Sequence, residues 1–202
     1  RDPQGFRPLC LGKTANGYVL SSESCALDAI KAEFIRHIDP GEMVIIDDSG
    51  VRSVIYAEPE KIDKKLCVFE YIYFARGDSH IDGQSVYQSR LNMGRELYNE
   101  TKYDADIVMS IPDSGTTAAL GYARASGIPF AEGLVKNRYS GRTFIKPNQE
   151  ERELAVRMKL NALPHIVGGK RIVLIDDSIV RGTTSGIIVK MLKEAGAKEV
   201  YM

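Results

Sequence analysis

The fold of this chain is indicated most clearly by the stretch RIVLIDDSIVRGTTSGIIVKMLKEAG, residues 171–196. Four apolar residues, 172–175, predict a short buried strand, and two aspartates, Asp176 and Asp177, follow it directly. A run of small hydroxyl residues comes next, after which apolar side chains recur at helical spacing from Ile187 to Ala195. The stretch therefore predicts a strand, a polar loop and a helix, with adjacent carboxylates where the strand ends.

The same Asp-Asp-Ser tripeptide occurs earlier, in EMVIIDDSGVRSVIYA, residues 42–57. Here two apolar segments flank a short polar connection, 47–50, in which Gly50 can adopt a positive φ. This pattern predicts a β-hairpin, with Asp47 and Asp48 in its turn. We expect the two acidic pairs to differ in role because ligands of open parallel sheets bind at the carboxyl ends of strands, not in hairpin turns.

The remaining elements divide the chain near residue 60. Before it, YVLSSES predicts a strand and ALDAIKAEFIRHI, residues 26–38, predicts a helix that ends at Asp39-Pro40-Gly41. After it, apolar strands alternate with helices in this order: DADIVMSI, TTAALGYARASG, IPFAEGLV, RIVLID, IIVKMLKEAG and EVYM. This alternation predicts a parallel sheet covered by helices on both faces. We therefore expect two domains, 1–60 (α+β) and 61–202 (α/β).

Composition narrows the class of protein. The chain has 202 residues, is 44% hydrophobic and carries 27 basic and 27 acidic residues, so its balanced charge does not favour nucleic-acid binding. No apolar run reaches the roughly 20 residues that span a bilayer, so we expect a soluble, cytoplasmic protein without a membrane partner. Both termini resemble interrupted elements, which favours an internal piece of a longer protein.

The chemistry of residues 176–185 suits a phosphorylated sugar. Two adjacent carboxylates are costly unless hydroxyl groups or a cation meet them, and a sugar diol with Mg²⁺ would do so. Hydroxyl groups and backbone N–H groups at the start of the following helix suit a phosphate. Acidic strand ends also occur in response-regulator receivers and phosphatases, and hydroxyl residues before a helix are often plain caps, so either feature alone is weak.

Taken whole, however, the string LIDDSIVRGTTS resembles the phosphoribosylpyrophosphate-binding signature of type I phosphoribosyltransferases. Within that class, the chain is similar to the amidophosphoribosyltransferase family, which uses glutamine in the first step of purine synthesis. The resemblance covers nearly the whole chain and rests on these segments in this order: RDPQGFRPL, SSESCALD, EYIYFARGDSHIDGQSVYQSR, SIPDSG, KNRYSGRTFI, VRMKLNA and LIDDSIVRGTTS. The first two resemble the end of an N-terminal-nucleophile glutaminase domain, which would make residues 1–60 its remnant.

The resemblance implies a reaction in which ammonia displaces pyrophosphate from C1 of phosphoribosylpyrophosphate. It assigns the acidic pair to the ribose, Ser178 to substrate binding, and Mg²⁺ to Ser114, Asp176 and Asp177. It assigns the 5′-phosphate to five residues: Arg181, Gly182, Thr183, Thr184 and Ser185. It assigns the pyrophosphate to the loop of Asp113, Ser114 and Gly115, and to the catalytic cations Lys136 and Arg138.

The basic segment from Lys136 to Ile145 has two interpretations. A solvated polar loop is the simpler one, whereas the resemblance implies that the segment orders over the departing pyrophosphate. Two other classes stay open for the chain as a whole. One is a non-catalytic regulator that binds phosphoribosylpyrophosphate on the same fold, and the other is a receiver-like signalling domain.

Cysteine usage bears on cofactors and on the first half of the reaction. Cys67 on its own is typical of a small buried residue, but the resemblance implies that it is one of four ligands of a [4Fe-4S] cluster in the cluster-bearing branch of the family, with the other three ligands beyond Met202. The terminal cysteine that hydrolyses glutamine in that family is not in this sequence, so we expect no use of glutamine by this chain. We also expect a homo-oligomer.

Overall fold

The computed structural model describes residues 1–139 and 149–202, with the side chains of 149–153 left aside. The chain forms two compact units, Arg1–Ser89 and Arg90–Met202, which are described separately below. The sequence predicts a boundary at residue 60 between a glutaminase remnant and a phosphoribosyltransferase domain. The division into compact units does not test this boundary, so it stays a prediction. In the described residues, no helix is both long and apolar enough to cross a membrane.

The first unit contains small antiparallel sheets. Its elements are β1 (Cys10–Thr14), β2 (Gly17–Ser21), α1 (Ser24–Ala29), β3 (Glu33–His37), β4 (Glu42–Asp47), β5 (Gly50–Ile55), a 3₁₀ turn (Pro59–Lys61), a π-helical turn (Glu70–Phe74), β6 (His80–Ile81) and β7 (Gln84–Ser85). Strands β2, β1 and β3 form one sheet in that order, while β4 pairs with β5 and β6 with β7. The predicted hairpin is confirmed, because Asp47 is paired with Gly50 across the turn and Gly50 has a φ of +115°.

The helix predicted over residues 26–38 is wrong in its second half. Helix α1 ends at Ala29, Lys31 adopts a positive φ of 56°, and residues 33–37 form β3. The apolar spacing in this segment fits a helix locally, but β3 gains an antiparallel pairing with β1, which is interrupted by one register shift between Leu11 and Gly12. Tertiary strand pairing therefore outweighs local periodicity here.

A buried carboxylate links two segments of the first unit. The Glu42 side chain is 4% exposed and accepts hydrogen bonds from both terminal nitrogens of Arg36, and from the Asp39 N–H at 2.8 Å. These bonds, those from Arg36 above all, lower the pKa of Glu42 to about 2 although burial opposes the shift. Glu42 is therefore charged at neutral pH and joins the end of β3 to the start of β4.

The second unit is an α/β layer structure. Its elements are α2 (Val86–Glu100), which begins in the first unit, β8 (Ile107–Ser110), α3 (Thr116–Ser126), β9 (Leu134–Lys136), α4 (Gln149–Lys159), β10 (Leu160–Ala162), α5 (Pro164–Val167), β11 (Arg171–Ile175), α6 (Thr183–Glu194) and β12 (Glu199–Tyr201). Strands β12, β11 and β8 form a parallel sheet in that order.

The parallel sheet is buried on both faces, as predicted. Alternate strand residues such as Met109 and Leu174 pack with Ile188 and Leu192 of α6 in one apolar cluster. Their neighbours in sequence pack with Tyr122 of α3 in another. Because strand side chains alternate between faces, the continuous apolar run 172–175 serves both clusters. The α/β fold class expected for this part of the chain is therefore confirmed.

The segment IPFAEGLV, residues 128–135, does not form the predicted full strand. Phe130 makes one isolated parallel bridge to Val108, and β9 then pairs antiparallel with β10 in a separate small sheet. Pro129 has no N–H to donate to a ladder, and Gly133 lies against the Met109 side chain, where a Cβ atom would be 2.5 Å from the methyl carbon. The chain therefore leaves the parallel sheet after a single contact.

Helices α2 and α3 cross at two glycines. A Cβ atom on Gly94 would lie 1.8 Å from the carbonyl oxygen of Ala118, and one on Gly121 would lie 2.1 Å from that of Leu91. The two backbones therefore touch at this crossing, which any larger residue would force apart. Helix α2 was not predicted from the sequence.

The amino edge of the parallel sheet is fixed by a charged cluster. Arg171, at the start of β11, donates from its guanidinium to Asp106 at 2.9 Å and also to Asp104, while its backbone N–H reaches Asp106 at 2.8 Å. These hydrogen bonds from Arg171 lower the pKa of Asp106 to about 2. The cluster aligns β8 with β11 at the edge opposite the acidic pair.

Candidate functional site

The candidate site begins where two neighbouring parallel strands end. Ser110, the last residue of β8, is paired in register with Ile175, the last residue of β11. The Ile111 N–H continues the ladder by donating to the Ile175 carbonyl at 2.9 Å. The two loops that carry the predicted site residues therefore leave the sheet side by side.

Gly115 brings these two loops into direct contact. Its Cα faces β11 so closely that a Cβ atom would lie 2.5 Å from the Ile175 carbonyl oxygen and 3.1 Å from Asp176 Cα. Its N–H donates to the Ile111 carbonyl at 3.2 Å, which closes the loop tightly before α3. The peptide bond between Pro112 and Asp113 is cis. The predicted pyrophosphate loop and the predicted ribose-binding pair are thus adjacent.

Asp176 and Asp177 are half-buried and carry little local compensation. The Asp177 N–H donates to Asp176 Oδ1 at 2.9 Å, and the Ser178 hydroxyl donates to Asp177 Oδ1 at 2.7 Å. Burial raises the pKa of Asp176, the neighbouring charge of Asp177 adds to the rise, and the hydrogen bond from Asp177 opposes it. Hydroxyl donors or a cation would therefore stabilise the charged form of this pair.

Asp47 in the hairpin turn differs from Asp176 in its electrostatics. Asp47 is exposed and accepts bonds from both the hydroxyl and the N–H of Ser49, which lower its pKa. It is already satisfied within its own turn. The structure therefore separates the two Asp-Asp-Ser tripeptides, as the sequence predicts.

The acidic pair also suits a magnesium ion that is bound by protein and substrate together. No cluster of three His, Cys, Asp or Glu residues suited to a metal occurs in the part of the chain that the structure describes. Mg²⁺, however, is commonly held by only one or two carboxylates together with water and substrate phosphates. Asp176 and Asp177 supply two such carboxylates, and Ser114 adds a half-buried hydroxyl group on the adjacent loop.

The start of α6 presents backbone donors. Gly182 precedes the helix with a φ of +68°, and among the described residues no side chain caps this end. The first intrahelical bond runs from the Gly186 N–H to the Gly182 carbonyl. The first-turn N–H groups are left for an outside acceptor, beside the hydroxyl groups of Thr183, Thr184 and Ser185. Arg181 is exposed just before them. This arrangement suits an anion such as a phosphate.

The predicted catalytic cations lie at and after the end of β9. The Lys136 ammonium donates to Asp113 Oδ2 at 2.5 Å, and Arg138 is exposed two residues later. Asn137, between them, is anchored by its N–H to the Lys159 carbonyl at 2.7 Å and by its amide to Met158 at 3.2 Å. The rest of the predicted closing segment, 140–145, lies outside the described residues.

Sequence reasoning missed two contributors to this site. One is Asn137, which fixes the base of the basic segment. The other is a hydroxyl pair formed by Ser110 and Thr116, whose oxygens are 3.1 Å apart across the base of the pyrophosphate loop. Both depend on which elements meet in space, although Ser110 could have been found by asking which polar residue ends an otherwise apolar strand.

Cys67 is half-buried in the first unit, and its N–H donates to the Phe6 carbonyl at 3.0 Å. Cys10 and Cys25 are both buried. Since an iron–sulfur cluster needs about four thiolates, Cys67 would need ligands from outside the described residues. Its assignment as a cluster ligand stays a prediction.

The second unit, with its parallel sheet and covering helices, has the type I phosphoribosyltransferase fold that the sequence predicts. Over its whole length the chain is homologous to one segment of proteins named amidophosphoribosyltransferase. It is 57% identical over 202 residues to the amidophosphoribosyltransferase of Archaeoglobus fulgidus and 52% identical over 201 residues to that of Bacillus subtilis, covering 100% of this chain in each case.

The solved structures agree. A glutamine phosphoribosylpyrophosphate amidotransferase from B. subtilis, complexed with ADP and GMP, superimposes with a TM-score of 0.91 at 52% identity and covers 99% of this chain. The chain spans 44% of the A. fulgidus protein, 42% of the B. subtilis protein and 44% of that solved chain, which is less than half of each. No family model matches the sequence.

Proposed function

We propose that this chain carries the phosphoribosyl-transfer site of an amidophosphoribosyltransferase. The complete reaction converts glutamine, phosphoribosylpyrophosphate and water into 5-phosphoribosylamine, glutamate and pyrophosphate, the first committed step of purine synthesis. The observation that carries the proposal is the close approach of Gly115 to Ile175 and Asp176, because it brings the loop that we assign to pyrophosphate beside the acidic pair that we assign to the ribose. The identity to known amidophosphoribosyltransferases over the whole chain supports it.

In this proposal, ammonia attacks C1 of the ribose and the bond from C1 to pyrophosphate breaks. The attacking nitrogen then loses a proton to solvent, which leaves 5-phosphoribosylamine and free pyrophosphate. C1 gains positive character on the way, so the protein's task is to orient the sugar and stabilise the leaving anion. No side-chain nucleophile is needed.

The ribose and its phosphate are held by β11, α6 and the loop between them. The carboxylates of Asp176 and Asp177 accept hydrogen bonds from the two ribose hydroxyls, with Ser178 supporting Asp177. The uncapped first turn of α6 and its hydroxyl groups bind the 5′-phosphate, where the helix dipole favours a negative charge. Arg181 adds a cation to the same end of the site.

The pyrophosphate lies against the start of α3. The backbone N–H groups of the loop from Asp113 to Gly115 donate to it, and Lys136 and Arg138 supply positive charge. Mg²⁺ held by Ser114, Asp176 and Asp177 would neutralise part of the charge of the substrate. Cys67 would be one ligand of a [4Fe-4S] cluster whose other ligands lie outside the described residues, and we expect a cytoplasmic homo-oligomer.

The test is ammonia-dependent formation of phosphoribosylamine by the purified chain, with and without Mg²⁺. We expect product with ammonia and Mg²⁺, and a loss of product in the Asp176→Asn, Asp177→Asn variant. Binding of phosphoribosylpyrophosphate without any product would instead favour the non-catalytic regulator. Absence of binding by a folded chain would refute the assignment of this site.

A further inference from the structure

An ion pair spans the pyrophosphate side of the proposed site. Lys136 Nζ lies 2.5 Å from Asp113 Oδ2, and so joins the end of β9 to the loop after β8. Among the described residues this lysine is the ion-pair partner of Asp113. The two side chains are 46% and 78% exposed, so solvent screens the pair and it opens easily.

The position of this pair creates a competition. Lys136 is a cation that the proposed function assigns to the departing pyrophosphate, yet in this structure its ammonium donates to a protein carboxylate. An anion bound at the start of α3 would meet the Asp113 carboxylate as a like charge and the Lys136 ammonium as an opposite charge. Pyrophosphate and the Asp113 carboxylate therefore compete for the Lys136 ammonium group.

We propose that Asp113 is a positioning residue that holds Lys136 at the mouth of the site and yields it to pyrophosphate. The carboxylate occupies the place of the anion while the site is empty, and substrate binding exchanges one partner for the other. This inference rests on the proposed function, because it assumes that pyrophosphate binds beside the Asp113–Gly115 loop. Asp113 thereby weakens pyrophosphate binding and eases its release.

The test is a double-mutant cycle read by calorimetric binding of inorganic pyrophosphate at fixed Mg²⁺. Asp113→Asn should tighten binding by up to about fivefold, the range expected for opening an exposed ion pair. The gain should be larger with Lys136 present than in the Lys136→Met background. If Lys136 instead bridged the carboxylate and the anion together, it would screen their repulsion and the gain would be smaller with Lys136 present.

Arg138→Met serves as the matched control, since it removes a nearby cation that is not paired with Asp113 in the described structure. The gain from Asp113→Asn should be the same in this background as in the wild-type chain. A coupling to Arg138 as large as that to Lys136 would indicate a general field effect and overturn the exchange. So would weaker or unchanged pyrophosphate binding by Asp113→Asn, provided that the wild-type chain binds. If the folded wild-type chain bound neither pyrophosphate nor phosphoribosylpyrophosphate, the proposed function itself would fall.

Discussion

Replacing both site carboxylates, Asp176→Asn with Asp177→Asn, should remove most of the affinity for phosphoribosylpyrophosphate. Each carboxylate is proposed to accept a hydrogen bond from one ribose hydroxyl. Bonds of this kind to a charged group contribute about 1.5–3 kcal/mol each, so the pair contributes roughly 3–6 kcal/mol. Asparagine keeps a neutral carbonyl acceptor, so we expect the lower end, a weakening of about 100-fold in Kd.

The same double substitution should not destabilise the chain. Since the pKa of Asp176 is raised above its ordinary value, the folded state holds the proton more tightly than the unfolded chain does. The ionised carboxylate therefore costs stability, and this cost appears as the pH rises from the ordinary pKa through the raised one. At neutral pH an amide avoids the cost, so the melting temperature of the variant should be equal or higher.

Isothermal titration calorimetry with phosphoribosylpyrophosphate and Mg²⁺ measures the binding, and thermal unfolding followed by circular dichroism measures the stability. The matched control is Asp47→Asn with Asp48→Asn, which alters the same tripeptide in the hairpin turn. The control should bind normally. If it lost as much affinity as the site variant, or if the site variant lost affinity only because it unfolded, the assignment of the acidic pair would be refuted.

Further outcomes concern stability. Gly94→Ala should lower the free energy of unfolding by about 1–3 kcal/mol, because its methyl group would overlap the Ala118 carbonyl, whereas Gly186→Ala should raise it by about 0.5–1 kcal/mol, because that position in α6 has open space. Denaturant titration measures both, and equal effects would contradict the packing at the helix crossing. Glu42→Gln should cost on the order of 3 kcal/mol at neutral pH, since each unit by which Arg36 depresses the pKa of Glu42 is about 1.4 kcal/mol. That difference from the wild-type chain should shrink as the pH falls from 4.5 to about 2, and a difference independent of pH would contradict the role of the charge.

The elements that the sequence predicted well are those whose local pattern and tertiary environment agree. Strand β11 and helix α6 follow from an apolar run and a 3.6-residue period, and both are buried as those patterns require. The helix prediction is wrong for the segment of β3 because pairing with β1 determines its structure. No local sequence pattern identifies β1 as its partner. Helix α2 was not predicted because it has few apolar residues. Its contact with α3 depends on Gly94, which has no side chain to keep the two backbones apart.

The candidate site likewise has residues that the sequence predicts and contacts that it does not. Asp176, Asp177 and the hydroxyl residues at the start of α6 lie close together in the sequence, so one stretch predicts them together. The contact of Gly115 with Ile175 and the pairing of Lys136 with Asp113 join segments far apart in the chain. Such contacts depend on strand order and loop path, which periodicity and residue type leave undetermined.

The charged cluster of Arg171, Asp104 and Asp106 marks a place where a label or tether can be attached to the second unit. It stands at the amino edge of the sheet, and the proposed chemistry stands at the carboxyl edge, one strand length away along β11. A surface tether, a fluorophore or an affinity tag introduced near the exposed Asp104 would therefore leave the substrate side open to solution. Immobilised chains prepared in this way would present their binding loops uniformly, which suits biosensor measurement of phosphoribosylpyrophosphate.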